Sequence, residues 1–304
     1  MVNAGTRSPH IHAPKSTRGT GLRVTLGRHG PRFAAGPTCY YLRQMTPKTI
    51  QDVISALDAI VQQAHENASR LGYFAALYRR VTCAVRDGIA NGQFQNGPLM
   101  EQLDVNFANR YLDALATYQS GGTPPRSWLA AFKACDDGRR LILQQLLAGM
   151  NAHINLDLGI AAAQTRPGKR LPELKPDFDQ INGVLGDLIG TVAAEIAAVS
   201  PLIGNLEAIG LRDETTIVNF DMTAARNNAW CTAQRLAIEP SALHPLTIDG
   251  LDLAVSVAGN AILYPLEGEV GLAVIGSAEV SDVRQVIEVL SQTDDAVGQT
   301  AGAN

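Results

Sequence analysis

At 304 residues the chain is long enough to bury a substantial core, and 46% hydrophobic against 18% charged residues exclude a disordered polymer. The net charge of −4 is unevenly spread: residues 1–44 carry seven basic side chains and no Asp or Glu, leaving 18 basic against 29 acidic residues beyond them. A body so acidic argues against nucleic acid as a partner, because phosphate attraction needs clustered Lys and Arg.

Residues 1–44 are rich in Gly, Pro, Arg and His, show no sustained apolar period and lack the apolar core of a secretory signal. They read as a disordered leader or a mis-assigned start, with Met45 as the true first residue. An Arg-rich, acid-free organelle transit peptide is the other reading.

From Met45 onward the apolar period is helical. Thr46-Pro47 predicts a cap with a first-turn proline, followed by Ile50, Val53, Ile54, Leu57, Ile60, Val61 and Ala64 at three- and four-residue steps. A second helix is expected from about Tyr73 to Ile89, and a third from near Pro98 through Leu115. Gly121-Gly122-Thr123-Pro124-Pro125 breaks the pattern. A short helix around Trp128 and Phe132 follows, then a long one from about Gly138 to Gln164. Asp136-Asp137 reads as the start of that long helix.

After a Pro- and Gly-rich break at 165–176, helix is expected from Asp177 to Val199, in a short piece after Ser200-Pro201, and from about Asp213 to Ala237 with Ile217, Phe220, Ala224 and Trp230 inward. Residues 246–290 are left open between helix over 251–263 and strands over 255–275, which are β-branched and Gly-punctuated. Residues 293–304 read as a frayed tail. The expected fold is all-α: one domain, 45–292, built as a multi-helix bundle around a central buried helix.

Four scattered cysteines without a Cys-x-x-Cys pair fit a reducing compartment, and no apolar run is seen to reach the roughly 18 residues that span a bilayer. These features predict a cytoplasmic protein without membrane partners. Oligomeric state is not legible.

The central helix contains Met150-Asn151-Ala152-His153-Ile154-Asn155-Leu156-Asp157-Leu158. At 100° per residue with His153 at zero, Asp157 falls at about 40°, Leu146 at about 20° and Met150 at about 60°, so the pair sits inside the apolar stripe. Gln144, Asn151 and Asn155 form an amide stripe on the opposite side, which predicts interhelical hydrogen bonding. A carboxylate in an apolar stripe must be paired, hydrogen-bonded or metal-bound.

The run 100–112, the Pro-Pro-Arg-Ser-Trp segment at 124–128 and the Gly149–Leu158 segment resemble an uncharacterised bacterial domain family whose recurrent signature is Asn-Ala-His-Ile-Asn-x-Asp. The resemblance covers roughly Met45 to Leu263. It implies a helical protein and names no reaction.

Asp104 lies on the inward side of the third helix with Phe107 and Tyr111, and Arg110 is placed to clamp an anion or pair with Asp157. Glu101 reads as an acid complementing a helix dipole. Asp221, Arg226 and Trp230 share a later helix, with Trp230 expected in the core.

Two readings stand. In the first, the protein is an enzyme acting on a small, largely apolar ligand in an interior pocket. His153, Asp157 and Arg110 are then its catalytic candidates, and His153, Asp157 and Asp104 the candidate ligands of a divalent metal. In the second it is a non-catalytic helical binding or assembly protein whose His–Asp pair is structural.

Overall fold

The computed structural model describes residues 46–205, 221–266 and 268–292. The expected leader at 1–44, the start of a helix at Asp213 and the tail at 293–304 lie outside them. Among the described residues there are eleven α-helices and no strand.

Helix α1 (Ile50–Glu66) begins one turn later than the Thr46-Pro47 signal implied. Its cap is Thr49, in a reciprocal capping box with Asp52. Glu101 Oε1 accepts the Ile50 N–H at 3.0 Å, so this acid does serve a helix start, though that of α1 and not its own. Helix α2 (Gly72–Ala90) packs antiparallel on α1 across a short link. Helix α3 (Gly97–Gln119) opens at Asn96, whose side chain accepts from Leu99 N, with proline in the first turn.

Helix α4 (Arg126–Asp137) ends where a start was expected: Gly138 adopts φ +64°, a left-handed cap, and Asp136-Asp137 belong to the last turn. Asp252 fastens the other end of α4, accepting from Arg126 N at 2.7 Å, Ser127 N at 3.0 Å and Ser127 Oγ at 2.7 Å.

The long central helix is a rod in three pieces. Helix α5 (Ile142–Asn151) runs into a π-helical segment, Ala152–Leu158, and continues as α6 (Gly159–Thr165). It is surrounded by α2, α3, α4 and two later helices, α8 (Met222–Ile238) and α9 (His244–Leu263). Helix α7 (Lys175–Val199) follows a 3₁₀ segment, Gly168–Leu174, and packs on α2. Along α8 the inward residues are Ala225, Arg226, Ala229 and Trp230, whereas Ala224 faces out. After Ser200-Pro201 the described residues form a 3₁₀ turn, Ile203–Asn205, and residues 206–220 lie outside them.

The open region resolves as helix throughout: α9, α10 (Glu269–Ala278) and α11 (Val283–Leu290). The amide stripe explains α9. Gln144 Nε2 donates to Ile262 O at 2.8 Å and Leu263 O at 3.2 Å, Arg140 donates to Leu263 O at 3.0 Å, and Asn151 Nδ2 donates to Val255 O at 2.9 Å. Orphan carbonyls at the end of α9 are thereby satisfied from the rod.

Contrary to the expectation from sequence, one helical stretch, Ser241–Leu263, is long and apolar enough by composition to cross a membrane (mean hydropathy 1.4). It carries the buried Asp252 that fastens α4 and packs along α4 and α5.

Candidate functional site

The π-helical turn holds the histidine. Such segments are rare insertions in α-helices and recur at functional sites because they break the regular side-chain register. Here Ala152, His153, Ile154, Leu156, Asp157 and Leu158 are all buried, so both ionisable residues face inward as the apolar stripe implied.

The two stand close together without a hydrogen bond between them. His153 Nδ1 stands 3.7 Å from Asp157 Oδ2, beyond hydrogen-bond distance. Both Asp157 oxygens are claimed elsewhere: Oδ1 accepts from Arg110 Nε at 2.8 Å and Oδ2 from Trp128 Nε1 at 2.8 Å. Asp157 and Arg110 are thus an ion pair joining the rod to α3, with the indole of α4 as third member.

His153 sits instead among aromatic rings. Its ring lies flat on Phe107, centroids 3.5 Å apart and planes 8° apart, and meets Tyr78 at 4.4 Å and 71°. Phe74 approaches edge-on at 5.6 Å, and can do so because residue 149 is glycine: a Cβ there would fall 2.7 Å from the Phe74 ring. His153 is 3% exposed and neither ring nitrogen has a hydrogen-bond partner. Burial lowers its pKa, outweighing the Asp157 charge, and the imidazole is neutral.

Two further polar groups share this condition. Asp104 is buried and its Oδ2 has no partner; burial pushes its pKa up to about 7, with the Glu101 charge adding. The Tyr78 hydroxyl is buried and unpartnered, and burial, then the nearby Asp104 charge, holds its pKa well above the ordinary value. Unpartnered buried polar atoms are costly, about 1–3 kcal/mol each, and three residues carrying them in one place need a reason.

Beside them lies a cavity of about 300 Å³. His153, Asp104 and Tyr78 all line it, and apart from Arg226 the remaining lining is apolar. One wall is the face of α7 formed by Ile181, Leu185, Leu188, Val192 and Ile196. The Arg80–Glu195 pair, both side chains buried, clamps α7 to α2.

Of the residues singled out from sequence, His153 and Asp104 therefore meet at one cavity, while Asp157 and Arg110 form the adjoining ion pair and do not line it. No group of three or more His, Cys, Asp or Glu side chains able to hold a metal exists among the described residues. With both Asp157 oxygens already accepting, a centre of His153, Asp157 and Asp104 has no geometric support. Phe107, expected on the inward side of the third helix, and Arg226 line the cavity as well, whereas Tyr78 and the α7 face are missing from the sequence reading. The stripe 181, 185, 188, 192, 196 is visible in it, but nothing local distinguishes a helix face that covers a void from one that fills a core.

Comparison with curated proteins and with solved structures finds no match. A family profile does match: residues 50–265, which take in the rod, the cavity walls and the Asp157 network, place the chain in the DUF5995 family, a family of unknown function.

Proposed function

We propose that this protein binds a small, largely apolar molecule in the cavity between α7 and the rod, and that a polar group of that molecule is received by His153, Asp104 and Tyr78. The observation that carries the reading is the coincidence of about 300 Å³ of apolar space with three buried polar side chains that have unpartnered atoms. The volume lies at the lower edge of that of ligand sites, and apolar walls with a few convergent polar groups are their usual composition.

Chemistry on the bound molecule is a second reading, favoured by one observation. Near pH 7 Asp104 is half protonated and His153 is neutral. A proton donor and a proton acceptor, on atoms without a hydrogen-bond partner, then belong to two residues that line the same space, and general acid–base catalysis uses such a pair. The phenol of Tyr78, protonated throughout, adds a second donor.

Binding is tested by calorimetry with small neutral apolar compounds bearing one hydroxyl or carbonyl, against the wild type and a Leu185→Trp variant that fills the cavity from α7. Saturable binding by the wild type that the variant loses while keeping its helical circular dichroism is the expected result. Equal behaviour of the two proteins overturns the reading. Catalysis would show as turnover abolished by His153→Phe or Asp104→Asn with binding retained.

A further inference from the structure

Among the described residues Arg226 is the one Lys or Arg that lines the cavity. It comes from α8, is 5% exposed, and is held rigidly: Nε donates to Asn182 Oδ1 at 2.7 Å, Nη2 donates to the Phe178 carbonyl, and the guanidinium lies 4.6 Å over the Phe178 ring. All of these partners are neutral. No carboxylate lies within ion-pair distance of it among the described residues; the nearest acid acting on it, Asp179, is taken by Lys175. Among the described residues Nη1 makes no hydrogen bond. A buried guanidinium without a counter-anion is unfavourable, and burial lowers even its pKa, to about 10.

The cavity is also elongated. Its α7 wall runs from Ile181 to Ile196, fifteen steps at 1.5 Å, or about 22 Å. Along the rod the lining runs from Leu143 to Leu158, an equal number of steps. The space of about 300 Å³ lies between these two stretches of helix. Arg226 belongs to one end, because its contacts Phe178 and Asn182 flank Ile181. The far end, with Leu143, Leu147, Val192 and Ile196, is wholly apolar, and His153 lies between, on the middle of the rod.

We propose that the ligand is an aliphatic carboxylic acid, its carboxylate on Arg226 and its chain laid along α7 toward the Leu143–Ile196 end. The proposal rests on the reading of the cavity as a binding site. A carboxylate brings the single negative charge that one guanidinium balances. A phosphate monoester brings up to two, with no second cation in the lining and with Asp104 to repel it. His153, Asp104 and Tyr78 then flank the chain away from its head, where they would meet a substituent such as a hydroxyl or keto group.

The test is calorimetric titration of the full-length protein at pH 7.5 with acid and alcohol of matched chain, decanoate with decanol and hexadecanoate with hexadecanol, at monomeric concentrations, and with decyl phosphate. The expected result is that the acids bind at least about tenfold more tightly than the alcohols, as a charge-assisted pair in an apolar site should give. Arg226→Met should erase that preference and leave alcohol affinity within about threefold. If Arg226→Met does not fold, Arg226→Lys, which keeps the charge, is expected to keep the preference in weakened form; the wild-type comparison decides in either case. Alcohols binding as tightly as acids overturn this proposal and leave the cavity reading standing. Decyl phosphate binding more tightly than decanoate overturns the carboxylate class. If none of the compounds binds, the cavity reading falls as well.

Discussion

The imidazole of His153 is stacked face to face on Phe107 at 3.5 Å, with no hydrogen bond to either ring nitrogen. The aromatic contact fixes the plane of the ring and leaves its polar edge unused. A core that needed only a flat side chain here would be served as well by phenylalanine, which carries no desolvated nitrogens. The polar edge is therefore the informative part of the residue, which lines a cavity together with Asp104 and Tyr78.

His153→Phe follows directly. The substitution keeps the stacking on Phe107 and removes two unpartnered buried nitrogens, so the melting temperature of the unliganded protein is expected to stay level or rise. A gain of about 1–3 kcal/mol is the range for relieving such groups. Loss of more than about 1 kcal/mol in urea denaturation would mean that the imidazole has a structural partner.

Asp104→Asn should show its effect through pH. The folded-state pKa of Asp104 is raised to about 7 from 3.8, so the folded protein resists ionisation. The resulting penalty is absent below the unfolded value, grows as pH rises through the interval, and is complete above about 7. At about 1.36 kcal/mol per pH unit it amounts to a few kcal/mol, or several degrees in melting temperature. The Asn variant is expected to match the wild type near pH 4 and to melt higher at pH 8. A difference that does not change with pH would show that Asp104 is not held protonated.

Asp157 is predicted to couple to Arg110 and not to His153. Asp157→Ala strands the guanidinium and the Trp128 indole N–H. Because the Arg110 side chain retains 23% exposure, the cost should fall toward the low end of the roughly 3–5 kcal/mol seen when a buried pair is broken. Arg110→Met combined with Asp157→Leu should recover part of the loss. Urea denaturation of the singles and the double measures the coupling; additive losses would contradict the pairing.

Asp252 anchors α9 to the start of α4 through three hydrogen bonds. Asp252→Ala is expected to cost about 1.5–3 kcal/mol, the value of hydrogen bonds to a charged group, and Asp252→Asn less, because one acceptor remains. Thermal melts followed by circular dichroism check the order wild type, Asn, Ala. An Asn variant as unstable as Ala would mean that the charge itself, and not the bonds, stabilises the junction.

Legible from the residues alone were the helical character and order of the elements from 46 to Val199, the central place of the rod, the inward setting of His153, Asp157 and Asp104, and the interhelical use of Gln144 and Asn151. These follow from apolar periodicity, caps and breakers, which act within one helix and need no knowledge of neighbours. The tertiary structure decided the rest. Residues 246–290 became helix because Gln144, Arg140 and Asn151 supply partners to α9 that a β-branched, Gly-punctuated string does not advertise. Arg110 and Trp128, 47 and 29 residues away in the chain, took Asp157 from His153 because hydrogen bonding depends on distances of a few tenths of an ångström. The π-helical turn, which no spacing signals, carried the imidazole onto Phe107. The cavity was the least legible feature of all, since a void is a property of how helices fail to meet, and the face of α7 reads the same in sequence whether it covers a core or a ligand.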